Sequence, residues 1–313
     1  MRVVFLGTPK FAVPAFQELL ENSYEICGVF SQPDRPAGRG HKLQPGPVKT
    51  LAQSRGIPVF QPEKIRLEQN RPILEGLRPD FIIVAAYGQI LPGWLLRAAR
   101  LAPINIHASL LPRYRGAAPV PWAIMNGDTV TGVTTMIIHE KLDSGPILMQ
   151  QEVPIPLTRT AGELADELSR IGARLLIQTL DAWPKNALDP IVQDESKVSW
   201  APRMTKAMAR IAWDKTALEI HNQIRGMNPW PVAYSDFRGE RLHIWRSLPE
   251  SEASNSAAAP GTFLGLSNEA ARVQCGAGSV LDLLEVQMPA KSRVTGREFV
   301  SGARLRTGDI LFW

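Results

Sequence analysis

Leu101-Ala102-Pro103-Ile104-Asn105-Ile106-His107, followed by Ala108-Ser109-Leu110-Leu111-Pro112-Arg113-Tyr114-Arg115-Gly116-Ala117-Ala118-Pro119, joins an apolar run to a loop crowded with special-geometry residues. Leu101 to Ile106 has the continuous apolar character of a strand buried on both faces. Asn105 and His107 stand two apart at its end, so an extended chain points both side chains the same way. Pro112 and Gly116 then take the backbone out of the sheet. Polar groups gathered at the mouth of a parallel sheet are where open α/β folds place their chemistry.

Outward from this strand the chain alternates. Val3 to Leu6, Tyr24 to Phe30, Ile57 to Phe60, Phe81 to Ala86 and a run starting with Val133 to Ile138 read as strands. Ala12 to Leu20, Val48 to Ser54 and the long amphipathic stretch Ala161 to Ala182 read as helices. Alternating strands and helices predict a doubly wound, Rossmann-like, mostly parallel α/β sheet over residues 1–185. Trp183 to Arg203 mixes Pro, charge and isolated apolar residues; residues 186–206 are expected to be an extended linker. Beyond it, Leu218 to Arg225 reads as a helix, and short strands split by Gly, Pro and Asn over 207–313 suit a small β-barrel. Pro249 to Pro260 is Ser/Ala/Glu-rich and is expected to be a mobile loop.

The groups at the strand end suit acyl transfer without a covalent intermediate. The Asn105 amide can stabilise the oxyanion formed when a nucleophile attacks a carbonyl. His107 can donate to the same centre, and Asp143, in Leu142-Asp143-Ser144-Gly145, can take a proton or set the imidazole's charge. The plainer alternative is a satisfied structural His107 and an Asp143 that merely makes a turn. Other chemistries fit less well. Gly7-Thr8-Pro9-Lys10-Phe11 lacks the glycines of a dinucleotide turn, and neither Ser109 nor either Cys has the flanks of a nucleophile elbow. The five His (41, 107, 139, 221, 243) are scattered, so no metal is expected, and His139 reads as structural.

The chain resembles the folate-dependent formyltransferases. The likeness rests on Asn105-Ile106-His107, Ser109-Leu110-Leu111-Pro112, Arg115-Gly116-Ala117-Ala118-Pro119 and Asp143-Ser144-Gly145. It extends to Phe5-Leu6-Gly7-Thr8-Pro9 at the start, Ala86-Tyr87-Gly88-Gln89-Ile90-Leu91-Pro92, Ile224-Arg225-Gly226 and Pro229-Trp230-Pro231. Around Asp143 the chain departs from the family pattern, with Lys141 where Gly is common and Pro146 where an acid is common. The resemblance implies 10-formyltetrahydrofolate as co-substrate, bound by Ser109, Leu110, Leu111 and Pro112, with Tyr87, Ile90 and Leu91 extending the pocket. It implies catalysis by Asn105, His107 and Asp143, and an OB-like barrel for the second domain. Its tRNA-acting members are the best match, through Arg35-Pro36-Ala37-Gly38-Arg39-Gly40-His41-Lys42-Leu43 and the β-rich second domain. The acceptor expected is therefore methionyl initiator tRNA, gripped at its acceptor stem by Arg39 and Lys42. A sugar-nucleotide amine as acceptor, or a non-catalytic tRNA-binding protein, are the alternatives.

Composition agrees. At 313 residues with 44% hydrophobic and 21% charged side chains, the chain can bury about two ordinary domain cores. No apolar run approaches the roughly 20 residues that span a bilayer, so no membrane partner is expected. Arg2 to Leu6 opens directly as a strand, so no leader is expected. Cys27 and Cys275 read as reduced thiols of a cytoplasmic protein, and a monomer is expected. The net charge of +5 is uneven: Ser31 to Gly56 holds five basic residues against one acid, while 207–313 holds twelve against eleven. A basic, mobile loop beside a site suits a polyanionic substrate. Trp213, Trp230 and Trp245 could stack on bases, but apolar neighbours favour core packing, with Trp230 fixing a turn.

Overall fold

A computed structural model describes residues 1–37, 42–250 and 258–311, without the side chains of Ala37 and Lys42. The chain forms two compact units. The first comprises Met1–Pro119, Val130–Pro154 and Ala165–Pro202; the second comprises Val120–Thr129, Ile155–Leu164 and Arg203–Trp313.

The first unit is built on β1 (Arg2–Gly7), whose Val3 to Leu6 are fully buried. Helix α1 (Val13–Glu21) follows and buries Ala15, Phe16 and Leu19, with the Phe16 ring 5.1 Å from that of Phe5. Strand β2 (Glu25–Phe30) pairs parallel with β1. The stretch expected to be a loop then contains a small antiparallel hairpin, β3 (Arg35–Ala37) and β4 (Lys42–Gln44). Helix α2 (Pro47–Ser54) starts on Pro47, whose missing N–H costs nothing at a helix start. Strand β5 (Val59–Phe60) and helix α3 (Arg71–Leu77) lead to β6 (Phe81–Ala85), buried along its whole length. A short helix α4 (Gly93–Leu96) precedes β7 (Ala102–His107).

After β7 come α5 (Pro119–Met125), β8 (Val130–Ile137), β9 (Ile147–Pro154) and α6 (Ala161–Ala182). The seven-stranded sheet runs β5-β2-β1-β6-β7-β8-β9. It is parallel from β5 to β7, and β8 and β9 add antiparallel at the far edge. The chain moves outward from β1 to β2 and β5, then returns to β6 on the other side, which makes a switch point beside the carboxyl ends of β1, β6 and β7. Helix α6 turns Leu168, Ile171, Leu175 and Leu180 inward at helical spacing. Gly172 allows its close approach to β7: a Cβ there would lie 2.8 Å from Ile106 Cγ2.

Residues 186–202, expected to be a linker, are extended but group with the first unit, where Ile191 bridges Ile147 and Trp200 bridges Arg115. The strands and helices read from the sequence are present within a few residues; α3, α4, α5 and β9 lie outside that reading. None of the helices among the described residues is long and apolar enough to cross a membrane.

The second unit is β-rich and antiparallel. Its helix α7 (Ala217–Gly226) is opened by a capping box between Thr216 and Glu219. Strands β10 (Tyr234–Phe237), β11 (Glu240–Pro249), β12 (Phe263–Ser267), β13 (Ala270–Gln274) and β14 (Val280–Gln287) form a sheet in the order β10-β11-β14-β13-β12, with β15 (Val294–Thr295) on β14. Register shifts in β11 and β12 bend it around a core containing Trp213, Ile220, Ile224, Phe237, Leu242, Leu281, Leu283 and Phe299. Phe299 comes from α8 (Gly296–Ala303), a helix the sequence reading missed. Among the described residues no ladder joins β10 to β12, so both remain edges. Trp213 is core, its indole N–H donating to Ser235 Oγ at 2.9 Å. Trp245 is half-buried and lies under the Arg293 guanidinium, 3.3 Å from its ring centroid, while Trp230 is 51% exposed. Of the loop expected over Pro249 to Pro260, residues 251–257 lie outside the described residues.

Candidate active site

Strand β7 delivers the first two groups. Asn105 lies beside Val84 of β6 and Met136 of β8, at the carboxyl end of the ladder. It is half-buried, and its side-chain amide has no hydrogen-bond partner among the described residues. Its N–H groups are therefore free donors. His107, two residues on, is 6% exposed, and its Nε2 lies 2.9 Å from the Tyr114 carbonyl oxygen. A carbonyl only accepts, so Nε2 carries the hydrogen and Nδ1 is left for chemistry. Nδ1 faces Asp143 Oδ2 at 3.8 Å.

Asp143 reaches this position through unusual backbone. Its φ is 47°, left-handed for a residue with a Cβ, and its side chain is 13% exposed. Its Oδ2 accepts a 2.8 Å hydrogen bond from the Gly116 N–H. Gly116 has φ 124°, and a Cβ there would stand 2.6 Å from the Ala201 carbonyl oxygen, so only glycine presents its amide this way. Gly145 is equally constrained: a Cβ would overlap the Ile137 carbonyl.

The loop between β7 and Gly116 is fixed by its own polar atoms. Ser109 is fully buried and donates to the Arg113 carbonyl at 2.6 Å. Thr134 Oγ1 donates to the Ser109 carbonyl at 2.6 Å and accepts from the Leu111 N–H at 3.2 Å. The Tyr114 N–H donates to Ser199 Oγ at 2.9 Å. Arg115 is fully buried; its Nε and Nη2 donate to Gln193 Oε1 at 3.0 and 2.8 Å, and Nη2 also reaches Glu195 Oε1 at 2.9 Å. Arg115, and then Lys141, hold the Glu195 carboxyl below its ordinary range.

The seven residues expected to bind folate differ in burial and in their partners. Ser109 is spent inside its loop, and Leu111 is 3% exposed in a small core with Met136 and Ile147. Leu110 is half-buried against Gly132, and Pro112 is half-buried. Tyr87 is 2% exposed in the core of the parallel sheet, where burial pushes its phenol up and Oη has no hydrogen-bond partner among the described residues. Leu91 packs on that same core, and Ile90 is 82% exposed. A cavity of about 550 Å³ beside the Asp143 turn is lined by Gly93, Leu96, Arg97, Ile138, His139, Glu140, Lys141 and Ser144. A volume of this size suits a small-molecule site. His139, read as structural, is thus exposed on a cavity wall. Its position three residues before Leu142-Asp143 was the available signal.

Of the expected tRNA contacts, Arg39 and the side chain of Lys42 lie outside the described residues. Lys49, counted in the same basic stretch, is 2.6 Å from Asp34 Oδ2 and 2.7 Å from Gln61 Oε1, and Asp34 is held below the usual carboxylate range by Lys49 and then Gln61. Part of the local positive charge is therefore cancelled. Among the described residues no group of three or more His, Cys, Asp or Glu is placed to hold a metal ion.

Known proteins share this architecture. Residues 1–180 match the family described as Formyl transferase, and residues 203–304 match Formyl transferase, C-terminal domain. A methionyl-tRNA formyltransferase of Bacillus velezensis is 45% identical over 310 residues, covering 99% of this chain and 97% of the relative. One of Clostridium novyi is 46% identical over 312 residues, covering 99% of this chain and 100% of the relative. Among solved structures, WlaRD, a sugar 3N-formyl transferase, superposes with a TM-score of 0.68 at 19% identity, over 93% of this chain and 99% of that one. HypX from Aquifex aeolicus in complex with tetrahydrofolic acid gives 0.66 at 18%, over 100% of this chain and 51% of that one. At such identities the common property is the fold. The two family matches, in the same order as the two halves of the chain, and the near-complete alignment with relatives above 40% identity carry one conclusion: the chain belongs to the formyl transferase family.

Proposed function

We propose that the chain transfers the formyl group of 10-formyltetrahydrofolate to the α-amino group of methionine esterified to initiator tRNA, in the cytoplasm, where that tRNA starts translation. The observation that carries the reading is the unpartnered Asn105 amide beside a His107 whose free Nδ1 stands 3.8 Å from Asp143 Oδ2. The full-length likeness to methionyl-tRNA formyltransferases supports the choice of acceptor.

In this reading the amine nitrogen attacks the formyl carbon and a tetrahedral oxyanion forms. The Asn105 N–H groups and a protonated His107 Nδ1 stabilise it. Asp143 neutralises the imidazolium and takes up the proton lost by the attacking nitrogen. The bond from carbon to N10 then breaks, and N10 leaves with the proton that Asp143 took up, which restores the carboxylate. An amine is a sufficient nucleophile, so no Ser or Cys is needed. The Nε2–H bond to the Tyr114 carbonyl fixes the ring orientation throughout. The folate ring occupies the cavity beside Ser144, with Leu96 and Ile138 as its apolar walls. The β3–β4 hairpin, through Arg39 and Lys42, and the second unit hold the tRNA.

The test is a formylation assay on the full chain with 10-formyltetrahydrofolate and three acceptors: methionyl initiator tRNA, methionyl elongator tRNA and an amino-sugar nucleotide. Rapid formylation of the first alone is expected. Turnover with only the sugar nucleotide would replace the acceptor, and turnover with none would remove the enzymatic reading.

A further inference from the structure

Asp143 sits on a turn whose own tie is the Ser144 hydroxyl, which donates to the Lys141 carbonyl at 2.9 Å. A left-handed φ at a residue with a Cβ costs about 1–2 kcal/mol, and the flanking Lys141 and Leu142 are exposed. Support also comes from outside the turn. One support is the Gly116 N–H on Oδ2; the other comes from Gln193, 50 residues further along the chain.

We propose that Gln193 is a positioning residue for catalysis, fixing Asp143 against His107 by gripping the backbone on both sides of the carboxylate. Gln193 is 5% exposed. Its Nε2 donates to the Asp143 carbonyl at 2.8 Å and to the Gly145 carbonyl at 2.7 Å. Its Oε1 accepts from Arg115 Nε and Nη2. The guanidinium only donates, so the amide oxygen must face Arg115 and the NH2 must face the two carbonyls. Both hydrogens and both oxygen lone pairs of the amide are thereby used. No other neutral side chain of this length offers two donors to one neighbour and an acceptor to another. Arg115 is in turn held by Glu195, and it directly precedes Gly116. One amide thus couples the loop after β7, which presents the Tyr114 carbonyl to His107, with the turn that presents Asp143. The 3.8 Å gap between Nδ1 and Oδ2 depends on both.

This proposal rests on Asp143 acting in the reaction, and its test separates the two claims. Gln193→Met keeps the volume but removes every hydrogen bond. Gln193→Glu keeps the acceptor for Arg115 but turns an oxygen toward two carbonyl oxygens. Each variant of the full chain is assayed for formyl transfer beside Asp143→Asn and the double variant Gln193→Met with Asp143→Asn. A misplacement of about 1 Å at reacting groups lowers turnover by roughly 10–100-fold. Such a fall in kcat is expected for both Gln193 variants, with the KM for 10-formyltetrahydrofolate within about twofold of the parent and a displaced pH profile of kcat. Because Gln193 acts through Asp143, adding Gln193→Met to Asp143→Asn should cost almost nothing more. If Asp143→Asn retained normal turnover, the catalytic reading of Asp143 would fail, and this one with it. If Asp143→Asn were slow but both Gln193 variants kept the parent kcat, or the two effects simply multiplied, the role of Gln193 would be overturned alone. Should Gln193→Met melt below the assay temperature, Gln193→Glu, which keeps its bond to Arg115, decides on the same criteria.

Discussion

His107 shows how much one residue's surroundings decide. Its Nε2 is committed to the Tyr114 carbonyl and its Nδ1 faces Asp143, so both ring nitrogens have a partner set by a different loop. His107→Ala and Asp143→Asn are each expected to lower kcat by roughly 10²–10⁴-fold, and Asn105→Ala by roughly 10²–10³-fold. Folate affinity, read by equilibrium titration, should stay near the parent value, since these groups act on the transition state. A variant with normal turnover would lose its assigned role. All three stand out as candidates in the sequence because they sit on short motifs with distinctive neighbours. Gln193 does not, since an amide in an irregular stretch announces nothing until a distant turn is folded against it. Ser109 carries a second message that its motif does not spell out: its hydroxyl donates to the Arg113 carbonyl and so closes the tight loop after β7.

At the scale of elements, periodic apolar runs were readable and irregular stretches were not. Strands β1, β6 and β7 declare themselves because both faces are buried. Helices α3 and α5 are seven residues each and start on Pro or near it, too short for periodicity to outweigh their turn-like composition. The β3–β4 hairpin yields one prediction. Arg39→Ala with Lys42→Ala should weaken tRNA use and reduce the salt slope by about one unit for each phosphate no longer neutralised, leaving folate binding untouched. An unchanged slope would leave the hairpin as ordinary surface. Helix α7 yields another. His221 is 1% exposed, and burial lowers its pKa from the ordinary 6.5. The unfolded chain therefore takes up a proton near pH 6.5 that the folded chain refuses, and stability present above that pH declines as the pH falls through it. His221→Gln should flatten this decline in denaturant midpoints measured from about pH 7 downward. A slope identical to that of the parent would assign the acid sensitivity elsewhere.

Over the whole molecule, the two units do not follow a single cut in the chain. Val120–Thr129 and Ile155–Leu164 belong with the residues after Arg203, although strands of the first unit lie between them. Sequence composition pointed to a break near residues 186–206 because it registers local character, whereas compactness is a property of space. Within the second unit His221 Nε2 lies 2.8 Å from the Leu157 carbonyl, and Arg225 Nη1 donates to the carbonyls of Pro156 and Arg159 at 3.2 and 3.4 Å. A fragment of residues 203–313 alone would leave these buried donors without their acceptors, and hydrogen bonds involving charged groups are worth about 1.5–3 kcal/mol. Hydrogen exchange at the α7 amides is therefore expected to be faster in that fragment than in the full chain. Equal protection would mean that Ile155–Leu164 adds nothing to the second unit's stability.

The grip on Asp143 also has a bearing on how the protein comes into being. A ribosome releases the chain from its N-terminus at about 5–20 residues per second. The residue that clasps the Asp143 turn follows it by 50 positions, so roughly 3–10 s separate the emergence of the carboxylate from that of its clasp. Ser199 and Ala201, which pin the loop bearing Tyr114 and Gly116, emerge later still. A nascent chain can therefore display a nearly finished parallel sheet with Asn105 and His107 in place while its carboxylate still wanders. The contacts that hold the Asp143 turn and the loop before it can therefore form only after the segment ending at Pro202 has cleared the exit tunnel.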